Sequence, residues 1–183
     1  MKRSENVSDG ISPWKLPDNQ QERLKMCGWI VGFVDGEGSF SVSIYRNTQA
    51  RMRLGWQVFP EFVVTQGEKS VSVLEDFQRI FGCGKIYKAK SRPRDGRREV
   101  LYRYCVRSRR DLQEKIIPFF CEHPLRSYKK NEFKKFVRIV AMIERKEHLS
   151  ERGLKRIARI VETMNHKKSS TFLESSEATR RTV

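Results

Sequence analysis

Apolar positions change their period several times along the chain. From Cys27 to Val34 they run almost unbroken, and glycine recurs every fourth residue at Gly28, Gly32 and Gly36. Read as a helix, that spacing puts the three glycines on one face. From Ser39 to Arg46 the pattern alternates, with Phe40, Val42 and Ile44 against Ser41, Ser43 and Tyr45. This predicts a half-buried strand. Residues 55–65 predict a second strand with less distinct faces, containing Pro60, a residue normally confined to edges and bulges. Helical spacing returns through Val71, Leu74, Phe77, Ile80 and Phe81 and stops at Gly82. Residues 84–89 and 99–107 predict two more strands. The last offers two alternating sets, Val100, Tyr102, Tyr104 and Val106 or Leu101, Arg103, Cys105 and Arg107, and the pattern does not choose between them.

Helical spacing then fills residues 108–164. A Ser108–Asp111 capping box opens one amphipathic helix; others are expected over 127–148 and 150–164. Asp18 with Gln21 resembles another capping box and starts the glycine-bearing helix, expected from Asn19 to about Gly36. The order is α-β-β-α-β-β-α with further helices behind it. Two αββ halves predict an α+β fold, a four-stranded antiparallel sheet backed by helices. Residues 1–17 read as a flexible arm that Trp14 pins, 18–164 as a single domain, and the polar residues 165–183 as a disordered tail.

Chemistry sharpens the first helix. Glycine inside a helix costs about 1 kcal/mol relative to alanine, so three at one spacing need a reason. Close approach of a second helix supplies one. The apolar run is too short for a membrane span of about 20 residues. It ends in two acids, Asp35 and Glu37, with Gly38 behind them. In a last turn the helix dipole disfavours each acid by about 0.3–1 kcal/mol, and a bound cation reverses that sign. The residues therefore predict two closely packed helices delivering acids to a metal. The plainer alternative is a buried helix ending in a turn-rich C-cap sequence.

Charge narrows the partner. The 183 residues carry a net charge of +16 and a pI near 10.0, which points to a polyanion, nucleic acid before a membrane surface. No long basic amphipathic helix with a clean apolar face supports the membrane reading. Cys27, Cys83, Cys105 and Cys121 are scattered, and His123, His148 and His166 complete no zinc pattern. The first residues lack the apolar core of a secretory signal, so a reduced, intracellular protein is expected, in a bacterial cytoplasm or an organelle.

The stretch Ile30-Val-Gly-Phe-Val-Asp-Gly-Glu-Gly38 resembles the LAGLIDADG motif of homing endonucleases, with Ile30 for the first leucine and Glu37 for the final acid. Val64-Thr65-Gln66 and the Lys129–Lys130 pair extend the likeness, which covers residues 18–145. It implies a saddle of four strands, a motif helix at the subunit interface and a final acid on catalytic divalent metals. By that resemblance Glu37 and the Gly36 carbonyl bind Mg²⁺, a site that Mn²⁺ or Ca²⁺ can also occupy. Gln66 orders water, and Lys129 or its neighbour Lys130 stabilises developing charge. Lys129 is preferred because Phe133 follows it by one helical turn. Asp35 holds the helix end.

A single motif implies a two-fold homodimer, with Gly28, Gly32, Asp35 and Gly36 at the interface. Its target is then double-stranded, pseudo-palindromic DNA, cut to leave 3′ overhangs. The free sheet face is expected to meet DNA through Ser41, Ser43, Tyr45, Asn47, Gln57, Phe59, Glu61, Lys85 and Tyr87. From the fourth strand Tyr102 and Arg103 are taken together, one of which must point inward. Lys69 belongs to the basic periphery. Two other readings are a maturase acting on its own intron RNA and a non-cleaving DNA-binding regulator. Glu37, Gln66 and Lys129 favour the nuclease.

Overall fold

Helix α1 (Gln20–Glu37) organises the molecule, and its start is set by a side chain. The Asn19 carboxamide accepts hydrogen bonds from the Gln21 amide at 2.9 Å and the Glu22 amide at 3.2 Å. The cap is therefore Asn19, not Asp18, because Asn19 is the residue whose side chain reaches the unpaired first-turn amides. The computed structural model describes residues 13–47, 54–89 and 100–164. Arg51, Arg53, the basic run 91–98, residues 1–12 and the tail 165–183 lie outside the described residues.

α1 passes into strand β1 (Gly38–Arg46) without a loop. Gly38 makes that junction possible. A Cβ there would come within 2.6 Å of Val34 Cγ1 and 2.9 Å of the Val34 carbonyl oxygen. β2 (Trp56–Gly67) follows, then a 3₁₀ turn (Glu68–Ser70), α2 (Val71–Phe81), β3 (Lys85–Lys88) and β4 (Leu101–Val106). The sheet order is β1-β2-β4-β3 with every neighbour antiparallel. The β1–β2 register runs unbroken from Gly38–Val64 to Arg46–Trp56, so Pro60 causes no bulge. β4 pairs with β2 only from Phe62 to Gly67. At Pro60, then, β2 has one neighbour, an edge-like setting that tolerates the missing N–H.

The second half is helical. Ser108 Oγ accepts from the Asp111 amide at 3.3 Å and opens α3 (Arg109–Asp111). A π-helical stretch (Leu112–Ile116) carries the chain into α4 (Ile117–Glu122), and α5 (Lys129–Glu144) and α6 (Glu151–Glu162) complete the layer. The helix expected over 127–148 is shorter than its apolar pattern. It ends at Glu144, Lys146 takes a φ of 58°, and a 3₁₀ turn (Glu147–Leu149) leads to α6.

The helices cover one face of the sheet. Phe40, Phe62 and Tyr104 point into the core, where the Phe40 ring lies 5.0 Å from Phe62 and Phe133 and 5.4 Å from Phe120 and Phe136. Such pairs add roughly 0.5–1.5 kcal/mol each beyond area burial. Trp14 docks on this layer. Its indole N–H donates to the Lys115 carbonyl at 3.0 Å, and its ring meets Phe119 edge-on at 5.2 Å. The sheet's other face carries exposed Ser43, Tyr45, Lys85 and Tyr87.

Candidate active site and nucleic-acid interface

The two acids at the end of α1 meet different surroundings. The Asp35 carboxylate accepts from the Arg126 amide at 2.8 Å, the Ser127 amide at 3.2 Å and the Ser127 hydroxyl at 2.6 Å. Burial pushes its pKa up, but the Ser127 hydroxyl and the two amides outweigh burial and hold it below the ordinary aspartate value. Asp35 thus ties α1 to the approach to α5. Glu37 is exposed. One side chain bridges the two regions: Lys129, the first residue of α5, donates its ammonium to the Val34 carbonyl at 2.7 Å and the Gly36 carbonyl at 3.3 Å. Burial lowers the Lys129 pKa, with Asp35 and Glu37 pulling against it. A cation on these last carbonyls offsets the dipole cost of the two acids. Lys130 is exposed, and the α1 carbonyls are held by Lys129. Gln66 lies on β2 two residues beyond Val64, the partner of Gly38, at the sheet end where α1 delivers Glu37.

α1 has one open face. Gly28, Gly32 and Gly36 are exposed, and a Cβ on any of them would meet nothing within 4 Å. Leu24 beside them is 62% exposed. The opposite stripe, Cys27, Ile30 and Val34, is buried. Among the described residues, no three His, Cys, Asp or Glu side chains converge to hold a metal ion. No helix among them is long and apolar enough to cross a membrane.

On the free sheet face, Ser41, Ser43 and Tyr45 sit opposite Glu61, Phe59 and Gln57. Gln57 Oε1 accepts from the Tyr45 hydroxyl and from Asn47 Nδ2, both at 3.1 Å. Lys85 pairs with Cys105 and Tyr87 with Arg103, which puts Arg103 on this face. Tyr102 shares the parity of the buried Tyr104 and Val106 and packs against the core. It is therefore on the helix side and leaves the DNA-facing set. Glu61 is engaged within the protein: Arg107 reaches it at 2.9 Å and Arg103 at 3.9 Å.

The profile of the LAGLIDADG endonuclease family matches residues 30–140. The chain belongs to this family. A probable intron-encoded endonuclease 2 of Neurospora crassa is 29% identical over 129 residues, 70% of this chain and 25% of that protein. The crystal structure of the homing endonuclease I-TnaI is 38% identical with a TM-score of 0.73, over 83% of this chain and 96% of that one. I-SmaMI, solved on an uncleaved DNA target in the presence of calcium ions, is 30% identical with a TM-score of 0.71, over 80% of this chain and 47% of that one. The chain spans between 22% and 33% of the first curated fungal relatives it matches.

In this LAGLIDADG chain the structure brings Lys129 to Gly36 and places Glu37 on the same helix end. The Asp35 carboxylate is engaged by the chain's own backbone amides, while the residue lines the same concavity as Gly28 and Gly32. Arg107 is the residue the sequence pattern left undecided. It belongs to the alternating set of Arg103, and the signal for it was that set's two arginines on a basic protein.

Proposed function

We propose that this protein is a site-specific DNA endonuclease that works as a homodimer, cutting both strands of a pseudo-palindromic target with a divalent cation, Mg²⁺ by expectation. The end of α1 carries this reading: an exposed Glu37 beside a half-buried Lys129, at the border of an open glycine face. The donor set suits a hard cation. Mg²⁺ takes one or two carboxylates, keeps several waters and accepts substrate phosphate oxygens. Glu37 and the Gly36 carbonyl, which has a second lone pair besides the one facing Lys129, would hold it together with a second copy's acid. Bound there, such an ion supplies a nucleophilic water and stabilises the leaving oxygen.

The chain's own groups do the rest. Lys129, fixed by two carbonyls, holds a positive charge next to the phosphate that gains negative charge, an interaction pre-set before substrate arrives. Gln66 orients water from the neighbouring strand end. Lys85 and Arg103 on the free sheet face, with the exposed Arg46 and Lys88 at neighbouring strand ends, supply phosphate affinity. The homodimer rests on the bare glycines, which leave one face of α1 open to a second copy of the same helix. Two-fold symmetry makes the target pseudo-palindromic, and the family resemblance adds 3′ overhangs.

The test is cleavage of a randomised pseudo-palindromic duplex library by the full chain, with Mg²⁺ or with EDTA. Double-strand cuts at one sequence with Mg²⁺ alone are expected. Glu37→Gln should abolish them and leave binding nearly unchanged; cutting by that variant would remove Glu37 from the reaction. Tight binding by the wild-type chain without cuts would turn the reading to a regulator or to a maturase on intron RNA.

A further inference from the structure

Arg107 follows the last residue of β4 and lies on the free sheet face. Its Nε donates to Glu61 Oε1 at 3.0 Å, and its Nη2 lies 2.9 Å from the same oxygen. Its guanidinium carbon lies 5.2 Å from the Tyr87 ring centroid and 5.8 Å from that of Phe59. Three groups from two other strands thus hold one cation across the sheet. The Glu61 side chain is only 14% exposed, while that of Arg107 is 42% exposed, so the carboxylate lies behind and the guanidinium in front.

A guanidinium has five N–H donors in a fixed plane. Glu61 takes the one on Nε and faces Nη2 on the same edge. The remaining donors lie on Nη1 and the outer side of Nη2, along the edge turned away from Glu61. That edge is a pair of parallel donors, the complement of the adjacent O6 and N7 acceptors that guanine shows in the major groove. Adenine presents a donor beside N7, cytosine a donor, and thymine a methyl group beside its single acceptor, so none of them accepts both N–H groups. A Glu61 carboxylate alone on a DNA-facing surface would repel phosphate. Under Arg107 it instead fixes which edge of the cation is free.

We infer that Arg107, held by Glu61 between Phe59 and Tyr87, selects a guanine in each half-site of the target DNA. The inference rests on the DNA endonuclease reading. Glu61 is then a positioning residue that does not touch the bases. Arg103, 3.9 Å from Glu61, is the looser cation and is left for phosphate.

The test is selection of bound and cut sites from a randomised duplex library, read for wild type, Arg107→Ala, Arg107→Lys and Glu61→Gln, with folding checked by thermal melting. Wild type should select guanine at one position per half-site, symmetrically. Arg107→Ala should lose that preference alone, by roughly 5- to 150-fold in discrimination, with the other positions kept. Arg107→Lys keeps the charge, so overall affinity and its salt dependence should hold while the guanine preference weakens. Glu61→Gln should weaken the same position, although Arg107 is intact. If Arg107→Ala instead lowers affinity equally for all sequences and leaves the selected site unchanged, Arg107 is a phosphate contact and the inference fails. If the wild-type chain selects no sequence, the endonuclease reading falls, and the inference with it.

Discussion

The two faces of α1 are built from opposite materials. Cys27, Ile30 and Val34 fill the protomer's own core, while Gly28, Gly32 and Gly36 leave the other side of the same helix bare. A helix that faced only water would gain about 1 kcal/mol from alanine at each glycine. The bare backbone is thus a cost to the protomer, and it is offset only when a second backbone comes close. One face specifies the fold, the other is the surface on which the proposed homodimer rests, and Glu37 stands at the end they share.

Substitutions separate the two faces. The largest effect is expected from Gly32→Leu. Double-strand cleavage should disappear and sedimentation should report a monomer, with little change in melting temperature. An unchanged dimer mass would put the interface elsewhere. Ile30→Ala addresses the core face, where it should cost about 2–5 kcal/mol in denaturant unfolding, since a fully buried side chain leaves a cavity. A loss below 1 kcal/mol would mean that this face is not the structural one. Glycine-to-alanine changes sharpen the contrast further. Gly38→Ala meets Val34 at the α1–β1 junction and should destabilise by about 1–3 kcal/mol. Gly28→Ala, placed in the monomeric Gly32→Leu background, should stabilise by up to about 1 kcal/mol.

The smallest effect lies away from α1 and should ignore the contrast altogether. His148 is buried at the α5–α6 connection, and its Nδ1 has no hydrogen-bond partner among the described residues. Burial, followed by the Arg109 charge, depresses its pKa below the usual 6.5. The unfolded chain therefore takes up a proton near pH 6.5 that the folded chain resists. The stability held above that pH should decline as pH falls through it. Melting curves between about pH 7.5 and 5 should slope accordingly, and His148→Phe should flatten the slope. A slope unchanged by that substitution would assign it to other groups.

Much of this was legible along the chain, because β1 buries one side and exposes the other. Phe40 and Val42 against Ser41 and Ser43 fix its parity from composition alone. The approach of Lys129 to the end of α1 was legible only through the family resemblance, since 92 residues separate it from Glu37 in the sequence. β4 resisted reading for a physical reason. Tyr102 and Tyr104 on one side and Arg103 and Arg107 on the other are both long and amphipathic, so neither set is plainly buried. Register decides the question: Arg103 lies beside Tyr87 and Tyr104 beside Ile86. The link from Glu61 to Arg107 spans 46 positions and follows from that register, not from any local pattern. Asn19 and Asp18 are equally good caps by type, and only the entry direction of the chain separates them.

Pro60 marks a mechanical boundary. On the Glu37 side of it, β2 is clasped by β1 and β4; on the other side, β1 and β2 continue alone to the Arg46–Trp56 pair. A two-stranded ribbon twists and bends more readily than the middle of a sheet. Tyr45, Asn47 and Gln57 ride on the compliant part, while Arg103 and Tyr87 ride on the stiff one. Mutations on the ribbon can therefore drift without disturbing the rigid end that holds Glu37 and Lys129. On the proposed nuclease reading, a lineage of such proteins can thus explore new addresses at its periphery while its cutting edge stays the same.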